Sequence, residues 1–139
     1  YVLLGGTDKY LYIGKADFDT PAPMYKVKVY NMSTKQIKKS GIDYFVSEIQ
    51  VENKKILACQ LHFDADNYRF DVMNESGKSI FKDKAVYAFI VKGKVFYNQI
   101  FYGRNEHTQE YYQYDISKKS KKKISKKVYE ENEKQYLDY

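Results

Sequence analysis

Residues 68–80, YRFDVMNESGKSI, have two further copies in the chain. Residues 25–37 read YKVKVYNMSTKQI and residues 112–124 read YQYDISKKSKKKI, and the three segments align without a gap. Each copy alternates apolar and polar residues, passes through a polar turn and ends on a short segment around an isoleucine. This pattern is typical of two antiparallel strands joined by a turn, so the sequence predicts the same hairpin three times.

Five columns of this alignment hold the same or a similar residue in all three copies, which are 43 and then 44 residues apart. The columns are Tyr25, Tyr68, Tyr112; Val29, Val72, Ile116; Ser33, Ser76, Ser120; Lys35, Lys78, Lys122; and Ile37, Ile80, Ile124. The serine column predicts three turn residues whose hydroxyl groups bond the neighbouring backbone.

A second pair of strands precedes each hairpin. The predicted pairs are 2–4 with 10–16, 44–51 with 56–63, and 86–91 with 95–102. Each repeat is therefore a four-stranded antiparallel meander, with strands A, B, C and D in chain order. We expect a single all-β domain over 1–139, with repeats at 1–43, 44–85 and 86–127 and a C-terminal closing segment at 128–139. Because Val128-Tyr129 matches Val86-Tyr87, the closing segment is interpreted as the start of a fourth A–B pair rather than a helix.

Four-stranded units of this length have the size of propeller blades. Residues 68–72 (YRFDV) followed by 76–78 (SGK) resemble the blades of bacterial TolB-like and WD40-like propellers, and residues 112–116 are a second instance. The chain also resembles uncharacterised domains of bacterial surface lipoproteins, a resemblance that implies no known activity. We expect a three-bladed or partial propeller. The alternative is a β-trefoil, since three such units also suit a threefold axis.

The repeats differ most in length between strands B and C. These loops read DFDTPAP at 17–23, DADN at 64–67 and GRNEHTQE at 103–110. In a propeller such loops share one face, and variable loops on a rigid scaffold commonly carry function. The sequence therefore predicts a ligand-binding face with the candidate residues Asp17, Asp19, Asp64, Asp66, Arg104, Glu106 and His107. No metal site or cofactor is predicted, because the DFD and DAD segments lack the third ligand and the glycine of a calcium loop.

Catalytic motifs are scarce, since the chain has two histidines, one cysteine and neither a nucleophile elbow nor a phosphate-binding glycine loop. We therefore expect a non-catalytic binding or interaction module whose partner is a protein or a carbohydrate. Two alternatives stay open. One is a glycoside-acting enzyme that uses paired loop carboxylates, and the other is a structural domain in which two chains complete a ring as a homodimer.

The formal net charge is +6, and the only arginines are Arg69 and Arg104. Arginine is the side chain that reads phosphates and bases in two-point contacts, so this lysine excess argues against nucleic acid as the partner. The apolar stretches are too short to predict a transmembrane segment. Because the first residue is Tyr1 rather than Met, we expect a removed N-terminal leader that anchors an extracytoplasmic or cell-surface protein to the membrane.

Seven lysines fall within residues 118–127, KKSKKKISKK. The alignment places this run on the C–D turn and strand D of the third repeat rather than in an appended arm. Strand D is the outer edge of a blade, and lysine there discourages pairing with the edge of another chain.

Overall fold

A computed structural model describes residues 1–17, 23–60 and 67–137, with only the main chain described at Asp17. The described residues form twelve β-strands and one α-helix. The strands build three four-stranded antiparallel sheets, and each sheet lies within one predicted repeat. The predicted all-β class and the three four-stranded repeats are confirmed. The sheets are consistent with a propeller-like or a trefoil-like fold, and the choice between these stays a prediction.

In every sheet the strands are neighbours in chain order, so strands A and D are the two edges. Sheet A contains β1 (Val2–Gly6), β2 (Tyr10–Asp17), β3 (Met24–Asn31) and β4 (Gln36–Lys39). Sheet B contains β5 (Glu48–Glu52), β6 (Lys55–Cys59), β7 (Tyr68–Met73) and β8 (Ser79–Ala85). Sheet C contains β9 (Tyr87–Val91), β10 (Lys94–Tyr102), β11 (His107–Asp115) and β12 (Ser120–Ile124).

Sheet A and all of sheet B except the terminal residues Tyr68, Lys84 and Ala85 belong to the first of two compact units, which takes in the described residues up to 60 and Arg69–Asp83. A hydrophobic core joins the two sheets, and its buried members are Tyr12, Val27, Val29, Ile42, Val46, Ile56, Ala58 and Met73. Tyr12 is fully buried, and its hydroxyl donates a hydrogen bond of 2.6 Å to the main-chain oxygen of Glu75. Burial is the main reason that the pKa of Tyr12 rises to about 12.

The C–D turn of sheet B packs against sheet A within this unit. Gly77 lies in that turn with a φ of 93°, a conformation that favours glycine. A Cβ atom at this position would be 2.4 Å from Cγ2 of Val29. The Gly41 N–H donates to the oxygen of Gly77 at 2.7 Å. The turn therefore requires glycine both for its backbone and for the close approach of the two sheets.

Sheet C and the helix α1 (Lys126–Leu137) belong to the second unit, which begins its long continuous part at Lys84. The core of this unit consists mainly of aromatic rings. Its buried members are Phe89, Val91, Phe96 and Tyr129, and Tyr136 packs against them. In the part of the chain that is described, no helix is both long and apolar enough to cross a membrane.

The expectation that the closing segment 128–139 begins a fourth A–B pair is wrong, because the described part of it is helical. Ser125 caps the helix, since its hydroxyl oxygen accepts the Val128 N–H at 3.2 Å. Tyr129 and Tyr136 are seven residues apart, or two helical turns, and both rings contact Phe89. The helix forms because this spacing buries Tyr129 and packs the half-buried Tyr136 against the same core. The sequence match with Val86-Tyr87 did not reveal this packing.

The gapless alignment of the third repeat is also wrong, by three residues. In the first repeat the turn follows Asn31, whose Oδ1 accepts the Thr34 N–H at 3.2 Å. In the third repeat the turn follows Asp115, whose Oδ1 accepts the Lys118 N–H at 3.1 Å. These two residues therefore have the same role, although the alignment matched Asn31 with Lys118. The side chain that caps the turn fixes the register more strongly than the repeated residues do.

This shift changes the predicted roles of two columns. Ser33 and Ser76 lie in turns as predicted, but Ser120 is the first residue of β12. Ile116 lies in the turn rather than in strand C. The prediction for the lysine run is confirmed for residues 118–124, which lie in the C–D turn and on the edge strand β12. It is wrong for Lys126 and Lys127, which begin α1.

Candidate functional site

The structure describes the side chains of three predicted site residues, and it brings these three together in the third B–C loop. Arg104 and Glu106 lie between β10 and β11, in a loop closed by the Gly103 N–H, which donates to the oxygen of Glu106 at 2.7 Å. His107 begins β11, and its ring packs edge-on against Tyr102 with centroids 4.8 Å apart. All three candidate side chains are exposed to solvent.

The other four candidates, the aspartates of the first two B–C loops, are not placed by the structure. Asp19, Asp64 and Asp66 lie outside the described residues. Asp17 ends β2, where its main chain pairs with Met24, but its side chain is not described. The convergence of the three loops on one face therefore stays a prediction.

A pocket that the sequence did not predict lies in the first unit, beside β7 and β8. Its volume is about 370 Å³. Charged, hydroxyl and apolar side chains all contribute to its wall. The lining residues are Gly41, Asp43, Arg69, Asp71, Ser79, Ile80, Phe81 and Lys82.

Asp71 is the lining residue with the least ordinary environment, because this charged residue is only 2% exposed within a strand. It lies opposite Ala58 in the pairing of β6 with β7, at the margin of the hydrophobic core. The hydroxyl of Tyr44 donates to one of its oxygens. The hydroxyl of Ser79 donates to the other at 2.6 Å. These hydrogen bonds offset much of the cost of burying the carboxylate.

Tyr44 belongs to the segment that connects sheet A to sheet B, and its interactions fix that segment beside the pocket. Burial raises the pKa of its phenol, and the hydrogen bond with Asp71 raises it further. The guanidinium of Arg69 lies over the Tyr44 ring, 4.4 Å from its centroid. The main-chain oxygen of Asp43 accepts a hydrogen bond of 2.7 Å from the ammonium group of Lys26. The contact with Arg69 and the hydrogen bond from Lys26 thus fix Tyr44 and Asp43 beside the pocket.

The arrangement suits a small hydroxylated ligand. The exposed carboxylate of Asp43 supplies hydrogen-bond acceptors, while Arg69 and Lys82 supply donors. The buried carboxylate of Asp71 holds the wall through Tyr44 and Ser79. The four formal charges cancel, so the pocket does not require a charged ligand. In the described ranges, no group of three or more histidine, cysteine, aspartate or glutamate side chains is arranged to hold a metal ion.

The sequence contains an indication of this pocket in Asp71, but the alignment of the repeats gives that residue a different role. Asp71 interrupts the apolar segment FDVM, and a carboxylate at such a position is a candidate buried group. The alignment matched it with Asp115, which in the structure caps a turn. The partner Tyr44 is 27 residues away along the chain, so its hydroxyl could not be assigned from local spacing.

The pocket geometry is the basis on which a function can be proposed. The resemblance to TolB-like and WD40-like propeller blades stays a prediction, as does the resemblance to domains of surface lipoproteins. No protein-family model matches the chain, and no curated protein matches it in sequence.

Proposed function

We propose that this chain is a non-catalytic binding module and that the pocket around Asp71 binds a carbohydrate. The observation that carries the proposal is a buried carboxylate, held by two hydroxyl groups, in the wall of a pocket of about 370 Å³. Pockets of this size that combine apolar surface with a few fixed polar groups are typical of small-ligand sites.

The chemistry of a sugar matches that of the pocket wall. Each sugar hydroxyl both donates and accepts hydrogen bonds, and the wall offers the exposed Asp43 carboxylate as an acceptor together with guanidinium and ammonium donors. Phe81 adds an aromatic ring to the lining, which suits the apolar C–H face of a pyranose. Because the charges of Asp43, Asp71, Arg69 and Lys82 sum to zero, a neutral saccharide is the favoured ligand.

Asp71 also holds the connecting segment through Tyr44, so substituting it would alter folding as well as binding. Asp43 and Lys82 are better test positions, because both line the pocket and both are exposed. Asp8 provides a matched control, since it is an exposed carboxylate of the same unit on the A–B turn and does not line the pocket.

Glycan-array screening of the full chain should identify a saccharide that binds, and calorimetric titration should then give its Kd. We expect Asp43→Ala and Lys82→Ala each to weaken that binding about tenfold, because each removes a hydrogen bond worth about 1 to 1.5 kcal/mol. Asp8→Ala should change the Kd less than about twofold, since surface substitutions elsewhere have small effects.

The proposal fails if no saccharide binds or if both pocket variants bind as tightly as the parent chain. Hydrolysis of the bound saccharide would instead support the glycoside-acting alternative, in which two carboxylates act on the substrate. Neither outcome depends on the fold assignment, because circular dichroism of each variant reports separately whether the β-structure is intact.

We also propose an extracytoplasmic location in a bacterium. This part of the proposal is supported by the resemblance of residues 68–72 and 76–78 to bacterial propeller blades. A buried lone cysteine is compatible with it, since burial raises the pKa of the Cys59 thiol and keeps it in the less reactive thiol form.

A further inference from the structure

The outer edge of sheet C carries a row of lysines that the pocket does not use. We call it the lysine strip, and it runs from the C–D turn along β12 to the first turn of α1. All of its members are exposed. They are Lys118, Lys119, Lys121, Lys122, Lys123, Lys126 and Lys127.

Carboxylates neutralise only part of this strip. Lys123 forms an ion pair of 3.1 Å with Glu110, and Lys126 lies 3.8 Å from Glu130. Three further lysines form no ion pair with any carboxylate of the described residues, and these are Lys119, Lys122 and Lys127. The strip therefore has an excess of positive charge.

The geometry of the strip favours a chain-like partner over a flat one. On an edge strand, alternate side chains point to opposite faces, so Lys121 and Lys123 share one face and Lys122 lies on the other. Lysines on the same face recur about every 7 Å along the strand. A linear polymer can run along such an edge and contact the lysines of both faces, whereas a flat surface contacts the lysines of one face only.

The composition of the strip argues against nucleic acid and against a lipid bilayer. Residues 118–127 contain no arginine for reading bases and no aromatic residue. The ring of Tyr112 on the neighbouring strand is covered by the Lys121 ammonium, 4.5 Å from its centroid, so it does not offer bases an open face. Their one large apolar side chain, Ile124, packs against the core of the second unit and so does not insert into a membrane. Lysine lacks the two-point contacts of arginine, but it binds phosphate as a point charge, which suits phosphate groups that carry no base to be read.

We propose that the lysine strip binds a linear phosphodiester polymer that carries no bases, of the poly(glycerol phosphate) type. The binding is electrostatic, and each phosphate that a lysine contacts releases a counterion. This site lies in the second unit and is independent of the carbohydrate pocket.

The test measures binding of the full chain to poly(glycerol phosphate) over a range of salt concentrations. The strip variant combines Lys119→Gln, Lys122→Gln and Lys127→Gln. The control variant combines Lys35→Gln, Lys38→Gln and Lys39→Gln, three exposed lysines in the C–D turn and on the edge strand of sheet A. Both variants lose the same net charge, so their difference reports position rather than overall charge.

We expect the strip variant to bind at least about tenfold more weakly than the parent at moderate salt. For the strip variant, the slope of log K against the logarithm of the salt concentration should be smaller in magnitude by about 2, because each of the three lost phosphate contacts removes about 0.7 from it. The control variant should stay within about threefold of the parent. Equal losses in the two variants would overturn the proposal. So would tighter binding to phosphatidylglycerol vesicles or to single-stranded DNA than to the polymer.

Discussion

Replacing Phe89 with alanine will lower the free energy of unfolding by about 3 to 5 kcal/mol. Phe89 is fully buried, and its ring stacks on Phe96 with centroids 5.5 Å apart. On its other side it contacts Tyr129 and Tyr136 of α1, each with centroids 5.3 Å apart. The variant should also lose helical signal, because a twelve-residue helix is marginal in water without packing.

The control for this prediction is Phe101→Ala in the same unit. Phe101 is 43% exposed, so its removal should cost less than about 1 kcal/mol. Urea denaturation followed by circular dichroism gives the unfolding free energy of both variants. Similar losses in the two would show that Phe89 does not hold α1 on sheet C.

Replacing Gly77 with alanine should lower the free energy of unfolding by about 3 kcal/mol or more, which is the second large effect that we expect. One part of this cost is the positive φ of 93°, which an L side chain adopts at a penalty of about 1 to 2 kcal/mol. The other part is steric, since the new Cβ would be 2.4 Å from Val29, which is itself buried. Relief of the clash must move the turn away from sheet A or repack the core, which adds about 1 to 3 kcal/mol.

Gly93→Ala separates these two contributions. Gly93 also has a positive φ, 76°, but nothing lies within 4 Å of a Cβ built there. The Gly93→Ala substitution should therefore lower the free energy of unfolding by only about 1 to 2 kcal/mol, which is the backbone contribution alone. If denaturant unfolding gave equal losses for the two glycines, the close packing of the turn on sheet A would be refuted.

Strand alternation predicted the fold class because each strand is short and its pattern is local. The hairpins around residues 25–37 and 68–80 lie where the copies predicted them. The turn of the third hairpin lies three residues earlier than the alignment placed it, because Asp115 caps that turn as Asn31 caps the first one. Similarity between copies cannot reveal which side chain accepts the hydrogen bond of a turn, and that bond decides where the chain reverses.

A repeated contact supports the four-stranded unit more directly than the tyrosine column does. Gln60 follows β6, and its Nε2 donates to the oxygen of Phe45 at 3.2 Å. Gln99 on β10 donates in the same way to the oxygen of Lys84 at 2.8 Å. Both acceptors are 15 residues upstream of the glutamine. A glutamine followed by an aliphatic residue recurs in the sequence at Gln60-Leu61 and Gln99-Ile100, but this repeat does not reveal the acceptors.

The candidate site was harder to predict than the fold, because it depends on contacts between distant segments. Polar residues and variable length indicate the B–C loops as a candidate site, and both are local properties of the sequence. The pocket instead requires Tyr44 to cross from the connecting segment to Asp71 on β7. Helix α1 was missed for the same reason, since its stability comes from packing on Phe89 rather than from a long amphipathic pattern.

The most direct test of the central claim is an NMR titration of the ¹⁵N-labelled chain with the saccharide selected on the array. If the pocket around Asp71 is the binding site, the largest amide shifts will be at Gly41, Asp43, Arg69 and residues 79–82. The amides of the third B–C loop, residues 103–106, should move little. Largest shifts in that loop, with none at the pocket, would contradict the account.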